Sequence, residues 1–390
     1  MRVALVASWL NQYGGAERVL EAIHAVWPDA PVFTSIYDPG VFPAAWHNWD
    51  IRPTWMNRLP AVSRLSRQYL PLYPLAFESL RLKGFDLVLS VSSGFAHGAR
   101  TVGAPHVSYC LTPPRFLWGL QSYVERERLK PWQLALLRPA LPLLRAWDRR
   151  AAAHVDEFVA ISHEVQRRIA AVYQRQAPII YPPVDTSRFR VRPGAGDYFL
   201  VVSRLVPYRR IDLAVRACTR LGLPLKVVGR GRAMAELQAL AGPSVEFLGF
   251  RPDAEVTELI EGCRALLWPG LEDFGITPIE ALAAGRPVVA YAGGGALEVL
   301  ADGETGVLFP EQTVESLCAA INRLDGLAFS RQRLRDIALH FDTTVFQEQL
   351  LEYVQGILGN PQPQTALDPL PAQGAAPAGS AAGALQHPQE

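Results

Sequence analysis

Residues 265–285 read ALLWPGLEDFGITPIEALAAG. The four apolar residues Ala265–Trp268 predict a short buried strand, and a Pro-Gly break separates it from a helix running into Ala283-Ala284-Gly285. Thr277 stands where it can cap that helix. Pro278 suits its first turn, where the missing N–H costs nothing. The free amides around Phe274–Thr277 then lie at a positive helix end beside the carboxyl end of a strand, where open α/β sheets bind anions. Two carboxylates flank the turn, Glu272 before it and Glu280 inside the helix. Thr277 and Glu280 also have the T-x-x-E spacing of a capping box, which would give Glu280 a purely local role. Glu272 has no such alternative, and a loop carboxylate there is placed to meet a ligand.

Working outward, the same alternation of apolar runs and helical patterns fills the chain. Strands are expected at Val3–Val6, Val32–Ile36, Leu87–Val91, Val107–Cys110, Phe158–Ile161 and Ile179–Tyr181. After the YPPVD segment the series restarts at Tyr198–Val202, Leu225–Val228, Val245–Leu248, Ala265–Trp268, Val288–Ala290 and Val307–Phe309. Helices between them include Ala16–Trp27 and Ile211–Leu221, each with apolar residues along one face. Val/Ile/Leu-rich strands separated by helices mean parallel sheets covered on both faces. The fold class is therefore α/β, with two doubly wound, Rossmann-like domains and a cleft between them. The break falls at Pro182-Pro183-Val184-Asp185, because consecutive prolines punctuate a connection. This divides the chain into 1–182, 183–340, a C-terminal helix over 341–358 expected to pack back on the first domain, and a tail over 359–390. From Asn360 the tail has six prolines, eight alanines and two charged residues, a composition that predicts disorder.

Composition excludes several classes. With 390 residues, 49% hydrophobic and 19% charged, the chain has material for real cores and is neither collagen-like nor a coiled coil. Its four cysteines are far apart and never form a C-x-x-C pair, which argues against a zinc site or disulfide framework and for a reducing compartment. No apolar run of about 18 residues is present to form a transmembrane helix. The opening VALVASWL reads as a buried strand, not a signal peptide. Formal charge is +1 overall, so no global field points to nucleic acid. Residues 51–150, however, carry 15 Lys/Arg against 5 Asp/Glu, a local +10 that points to an anionic surface or ligand.

Two further loops join the first as candidates. Gly14-Gly15 follows the first strand and precedes a helix, so the backbone can approach a ligand and offer a helix N-terminus to phosphate; the pair is equally what an ordinary turn needs. Arg204 follows a strand and Arg209-Arg210 precede a helix, so both can reach the strand-end crevice. G-x-G-x-x-G and P-loop fingerprints are missing, as is any D-x-D pair for a divalent metal. That leaves arginines and helix ends to stabilise a leaving group.

The E-x7-E spacing of Glu272 and Glu280, with SRLVPYRR at 203–210, Gly14-Gly15-Ala16-Glu17 and Gly293-Gly294-Gly295, resembles the family 4 retaining glycosyltransferases of the GT-B fold. The combination with YPPVD is most similar to bacterial mannosyltransferases of O-antigen and exopolysaccharide synthesis. The resemblance implies that Glu272 holds donor-sugar hydroxyls and Glu280 the ribose. Amides of Phe274, Gly275 and Ile276, next to Thr277, would meet sugar and phosphate. Arg204 and Arg209 would neutralise the diphosphate. It implies a nucleotide-sugar donor as substrate, GDP-mannose by the mannosyltransferase likeness, with no cofactor and no metal. The implied acceptor is a lipid-linked glycan at the inner face of the cell membrane, and the implied location is cytoplasmic.

Three departures bear on the acceptor side. Leu111 stands where many members have histidine, Ala7-Ser8 precede Trp9 where related mannosyltransferases often have His-Asp, and His97 replaces a frequent lysine. His97 reads as a loop histidine or a substitute polar group, while His106, His154 and His163 show no obvious partner. Arginines interleaved with aromatics (Trp55, Arg58, Arg64, Arg67, Tyr69, Tyr73, Arg115, Phe116, Trp118, Arg126, Arg128, Lys130, Trp132) and the amphipathic Leu134–Trp147 fit a headgroup boundary or a solvated helical face. Two other functions remain open on sequence: a nucleotide-sugar-binding scaffold without turnover, and a sugar-nucleotide epimerase.

Overall fold

A computed structural model describes residues 1–66, 68–120, 138–194 and 196–359. The first domain contains β1 (Val3–Ala7), β2 (Val32–Thr34), β3 (Ile51–Pro53), β4 (Arg81–Lys83), β5 (Leu87–Ser92), β6 (Arg100–Val102), β7 (His106–Cys110) and β8 (Glu157–Ala160). Six of these form a parallel sheet in the order β3-β2-β1-β5-β7-β8, and β4 pairs with β6 outside it. The second domain contains β9 (Phe199–Val202), β10 (Leu225–Val228), β11 (Val245–Gly249), β12 (Ala265–Trp268), β13 (Val288–Tyr291) and β14 (Gly306–Phe309). They form a second six-stranded parallel sheet, β11-β10-β9-β12-β13-β14.

Both sheets therefore run 3-2-1-4-5-6 when strands are counted within each domain. Strand order reverses at β1/β5 and again at β9/β12, and ligands of such sheets bind at those switch points. Every residue of β1, β5, β7 and β12 is buried, as expected of strands covered on both faces. The helices Gly15–Val26 and Ile211–Leu221 lie where their apolar spacing predicts, burying Val19, Leu20 and Ile23 in one and Leu213, Ala214 and Ala217 in the other.

One strand expectation needs correction, and three short strands, β3, β4 and β6, went unread. Ile179–Tyr181 is not a strand; only Ile179 bridges Ala160, because the prolines that follow cannot donate to a ladder. β3 went unread because it is three residues long and ends in Pro53, which a sheet tolerates at its edge.

The chain crosses between domains at 182–186 and returns at 341–343, side by side. The Val184 amide donates to Phe341 O (2.9 Å) and the Thr343 amide to Val184 O (3.1 Å). The final helix, Thr343–Gly359, lies on Gly15–Val26, where Gln347 Nε2 donates to Ala22 O (2.9 Å) and Phe346 meets the edge of Tyr109. Among the described residues no helix is long and apolar enough to cross a membrane. The expectations for the tail from residue 360, and for Arg67, Arg126, Arg128, Lys130, Trp132 and Leu134, lie outside the described residues.

Candidate active site

The loop between β12 and the helix Ile276–Ala283 is built around close backbone approaches. Gly275 is the N-cap, and a Cβ there would lie 2.7 Å from the Trp268 ring. The Gly293–Gly295 turn packs directly on the same loop: Gly294 adopts φ +58°, and a Cβ on Gly295 would lie 2.4 Å from Phe274 Cα. The Gly295 amide also donates to Glu272 O (2.8 Å). Only residues without a side chain fit this arrangement, so Glu272 is held from behind by backbone.

The Glu272 carboxylate accepts from Trp268 Nε1 (3.1 Å) and pairs with the Arg209 guanidinium. Arg209 sits in the short turn Pro207–Arg209 after β9, and burial pulls its pKa down to about 10, which leaves it protonated at neutral pH. Its buried Nε has no hydrogen-bond partner among the described residues. Arg204 is exposed and donates to Tyr208 Oη (3.1 Å). Burial pushes the Tyr208 phenol up, but Arg209 and Arg204 more than offset it and hold it below its ordinary value. Arg210, by contrast, turns away to Asp212 (3.1 Å).

Glu280 is buried (6% exposed), and the capping reading fails for it. Gly275, not Thr277, is the N-cap, so Thr277 is already the second helical residue and the T-x-x-E register is off by two. The Glu280 carboxylate instead meets Arg18 of the other domain (3.2 Å), with Arg188 at 3.9 Å. Burial raises its pKa, and the two arginines act against that rise. Pro278 does occupy the first turn.

The facing wall comes from the first domain. Gly14 is the N-cap of the helix Gly15–Val26, and a Cβ on Gly15 would lie 3.2 Å from Ile276 Cδ1. The N-termini of these two helices, one from each switch point, therefore meet across the cleft. Glu17, third in its helix, accepts from the Gly14 amide, so the reach-back half of a capping box forms here. Burial raises Glu17 to about 7. Together with Ser8, Trp9, Ser93 and Leu111 it lines a small cavity between the ends of β1, β5 and β7.

The histidines need correction. His97 does lie in a connecting turn, Ala96–Gly98, but is buried there: it is 2% exposed, 3.1 Å from Asp148 Oδ1 and 3.1 Å from Ser92 Oγ. His106 is buried against Ser90 Oγ (2.9 Å), and its pKa is lowered by burial to about 3. His163 meets Glu298 of the other domain at 3.0 Å. His154 lines an open hollow with Arg100 and Asp156. Sequence reading also missed Arg18, Asp253, Asp273 and Arg168, whose contacts cross between domains; nothing local marks such partners, which lie over 100 residues apart.

Two family models match end to end. Residues 13–188 match Glycosyltransferase Family 4 and residues 185–338 match Glycosyl transferases group 1. The chain is 28% identical over 256 residues to a glycogen synthase of Pseudomonas syringae pv. tomato, covering 63% of this chain and 50% of that one. It is 32% identical over 219 residues to a GDP-mannose-dependent alpha-(1-6)-phosphatidylinositol monomannoside mannosyltransferase of Mycolicibacterium smegmatis, covering 47% and 56%. The chain spans about half the length of these relatives. Among solved structures it resembles Anabaena HepE in complex with UDP (TM-score 0.69, 19% identity, 91% of this chain and 100% of that one). It also resembles sucrose-phosphate synthase of Thermosynechococcus elongatus (TM-score 0.68, 17% identity, 92% and 100%). The fold is GT-B, two parallel-sheet domains facing across a cleft.

Proposed function

The chain belongs to the family 4, group 1 glycosyltransferases, and from that premise we propose that it moves a sugar from a nucleotide-sugar donor, GDP-mannose, to a lipid-linked glycan with retention of anomeric configuration. One observation carries the reading. Arg209 is a half-buried cation whose Nε is itself buried and has no partner among the described residues, held beside Glu272 where two helix N-termini converge. A buried donor without a partner is costly, and a diphosphate oxygen would satisfy it.

In this reading Arg209 and Arg204 neutralise the departing diphosphate, assisted by the amides of Phe274, Gly275 and Ile276 and by the Gly14–Gly15 end of its helix. Glu272 holds sugar hydroxyls as positive charge develops at the anomeric carbon. Glu280 takes the ribose hydroxyls, with Arg18 and Arg188 beside its carboxylate acting against the rise in its pKa that burial causes. The mannosyltransferase relative supports mannose as the sugar. The excess of Lys/Arg over Asp/Glu in residues 51–150 supports a lipid-linked acceptor reached at an anionic membrane from the cytoplasmic side, although Tyr73 and Phe116, expected at that boundary, are buried in the core.

A thermal-shift screen of GDP-, UDP- and ADP-sugars tests the donor. A ligand at about 100 times its dissociation constant stabilises by roughly 2.7 kcal/mol, a readily visible shift. GDP-mannose is expected to give the largest shift. Radiolabelled donor with bacterial lipid extract then reports transfer: label in the lipid fraction supports the reading. An altered nucleotide sugar with unlabelled lipid would make the protein an epimerase, and binding without chemistry would make it a scaffold.

A further inference from the structure

We propose that Asp273 is a positioning residue for sugar transfer, docking the Glu272 loop onto Arg115 and Arg168 of the opposite domain; the proposal rests on the glycosyltransferase reading of the site. An aspartate between Glu272 and Phe274 would ordinarily be read as a favourable charge near a helix N-terminus. Its contacts are of another kind. The side chain is only 10% exposed, with Oδ1 2.6 Å from Arg168 Nη1 and Oδ2 against Arg115 Nη2.

Both cations come from anchored helices, and Arg168 is held further by its own contacts. Arg168 also bonds Glu164 (2.8 Å) and Thr112 Oγ1 (3.2 Å). Arg115 opens the short helix Arg115–Trp118, while Arg168 lies in the helix His163–Tyr173. One buried carboxylate, Asp148, ties these two helices together: its Oδ2 accepts from Trp118 Nε1 (2.7 Å) and from Tyr173 Oη (2.9 Å). The acceptor-side domain thus presents two arginines from a fixed frame. On the donor side, the residues flanking Asp273 are equally constrained, Glu272 by the Gly295 amide and Phe274 by stacking on Tyr181.

Asp273 is therefore where the loop bearing Glu272 is registered against the domain that presents the acceptor. Removing its charge leaves two arginines facing each other at a poorly solvated seam, and the seam opens. A displacement of about 1 Å at reacting groups lowers a rate on the order of 10²-fold, without weakening donor contacts made within one domain.

The test uses Asp273→Asn, Arg168→Gln and the double variant in the full chain. Turnover, donor KM, GDP and UDP affinity, and the distance distribution between spin labels placed one in each domain are measured. Asp273→Asn is expected to lower kcat about 10- to 100-fold, with nucleoside diphosphate affinity changed less than about threefold. The double variant should be no slower than the slower single variant, and Asp273→Glu, which keeps the charge, should recover part of the loss. The interdomain distance should broaden in Asp273→Asn and in Arg168→Gln. Arg168 is one-third exposed, so Arg168→Gln serves if Asp273→Asn does not fold. Normal kcat with a wild-type distance distribution overturns the proposal, as does a loss that appears equally in nucleotide affinity. If wild type turns over no nucleotide sugar, the functional reading fails, and the distance distribution alone then decides the docking: unchanged distances overturn it and broadened ones sustain it.

Discussion

In the first sheet, β5 and β7 place Ser90, Ser92, His106 and Ser108 among their apolar residues, all buried, while in the second sheet β9, β12 and β13 are apolar throughout. Strand order is the same in both. The difference lies in where each domain uses its polar groups. The first domain buries them where they tie elements together: Ser90 meets His106 across β5 and β7, Ser92 meets His97, and Asp148 joins the helices Arg115–Trp118 and His163–Tyr173 through Trp118 and Tyr173. The second keeps the strands β9, β12 and β13 apolar; it buries Glu261 and Arg286 elsewhere and carries Glu272, Asp273 and Glu280 at the cleft. One domain thus sets hydrogen-bonded polar groups inside its sheet, and the other leaves its central strands without them. Two identical topologies can divide labour this way because the sheet order fixes where loops emerge, not what they carry.

The comparison can be broken most directly at Asp148. Asp148→Ala strands the Trp118 indole, the Tyr173 hydroxyl and the His97 ring in the interior, and should cost about 3–5 kcal/mol of stability. Urea denaturation followed by tryptophan fluorescence measures it; a loss under about 1 kcal/mol would mean the polar network does not hold the frame. On the donor side the largest effect should be kinetic. Glu272→Ala should lower kcat by roughly 10²–10³-fold, the scale of one preorganised electrostatic contact. A normal kcat would remove Glu272 from the chemistry. The smallest of the three effects sharpens the contrast within the rim itself. Glu280→Gln should mainly raise donor KM, by on the order of 1.5–3 kcal/mol for a charged hydrogen bond, because the ribose is remote from the bond that breaks. Steady-state kinetics with varied donor decides it, and an unchanged KM would leave Glu280 as a partner of Arg18 alone.

Much of this was legible beforehand. The β12 loop and its helix announced themselves through a local pattern, four apolar residues followed by Pro-Gly and a helix start, and local patterns survive into the fold. The placement of Glu272 beside Arg209 followed from two loops leaving adjacent central strands of one parallel sheet. Thr277 misled because capping depends on which residue leaves the helical backbone, and the Trp268 ring, which leaves no room for a Cβ at residue 275, decided that in favour of Gly275. The T-x-x-E spacing was real but out of register. His97 misled for a different reason: its partner Asp148 is 51 positions away, and no spacing rule links them.

The sequence by itself determined the two parallel sheets and the turns and helix starts around Gly14, Arg204, Arg209, Glu272 and Glu280, because strand and helix periodicity, prolines and glycines act within a few residues of chain. Only the tertiary structure decided which charges meet across the cleft: Arg18 with Glu280, Arg168 and Arg115 with Asp273, His163 with Glu298. Those pairs join residues more than 100 positions apart. An ion pair depends on distance and desolvation in three dimensions, and neither quantity is written in the spacing of a chain.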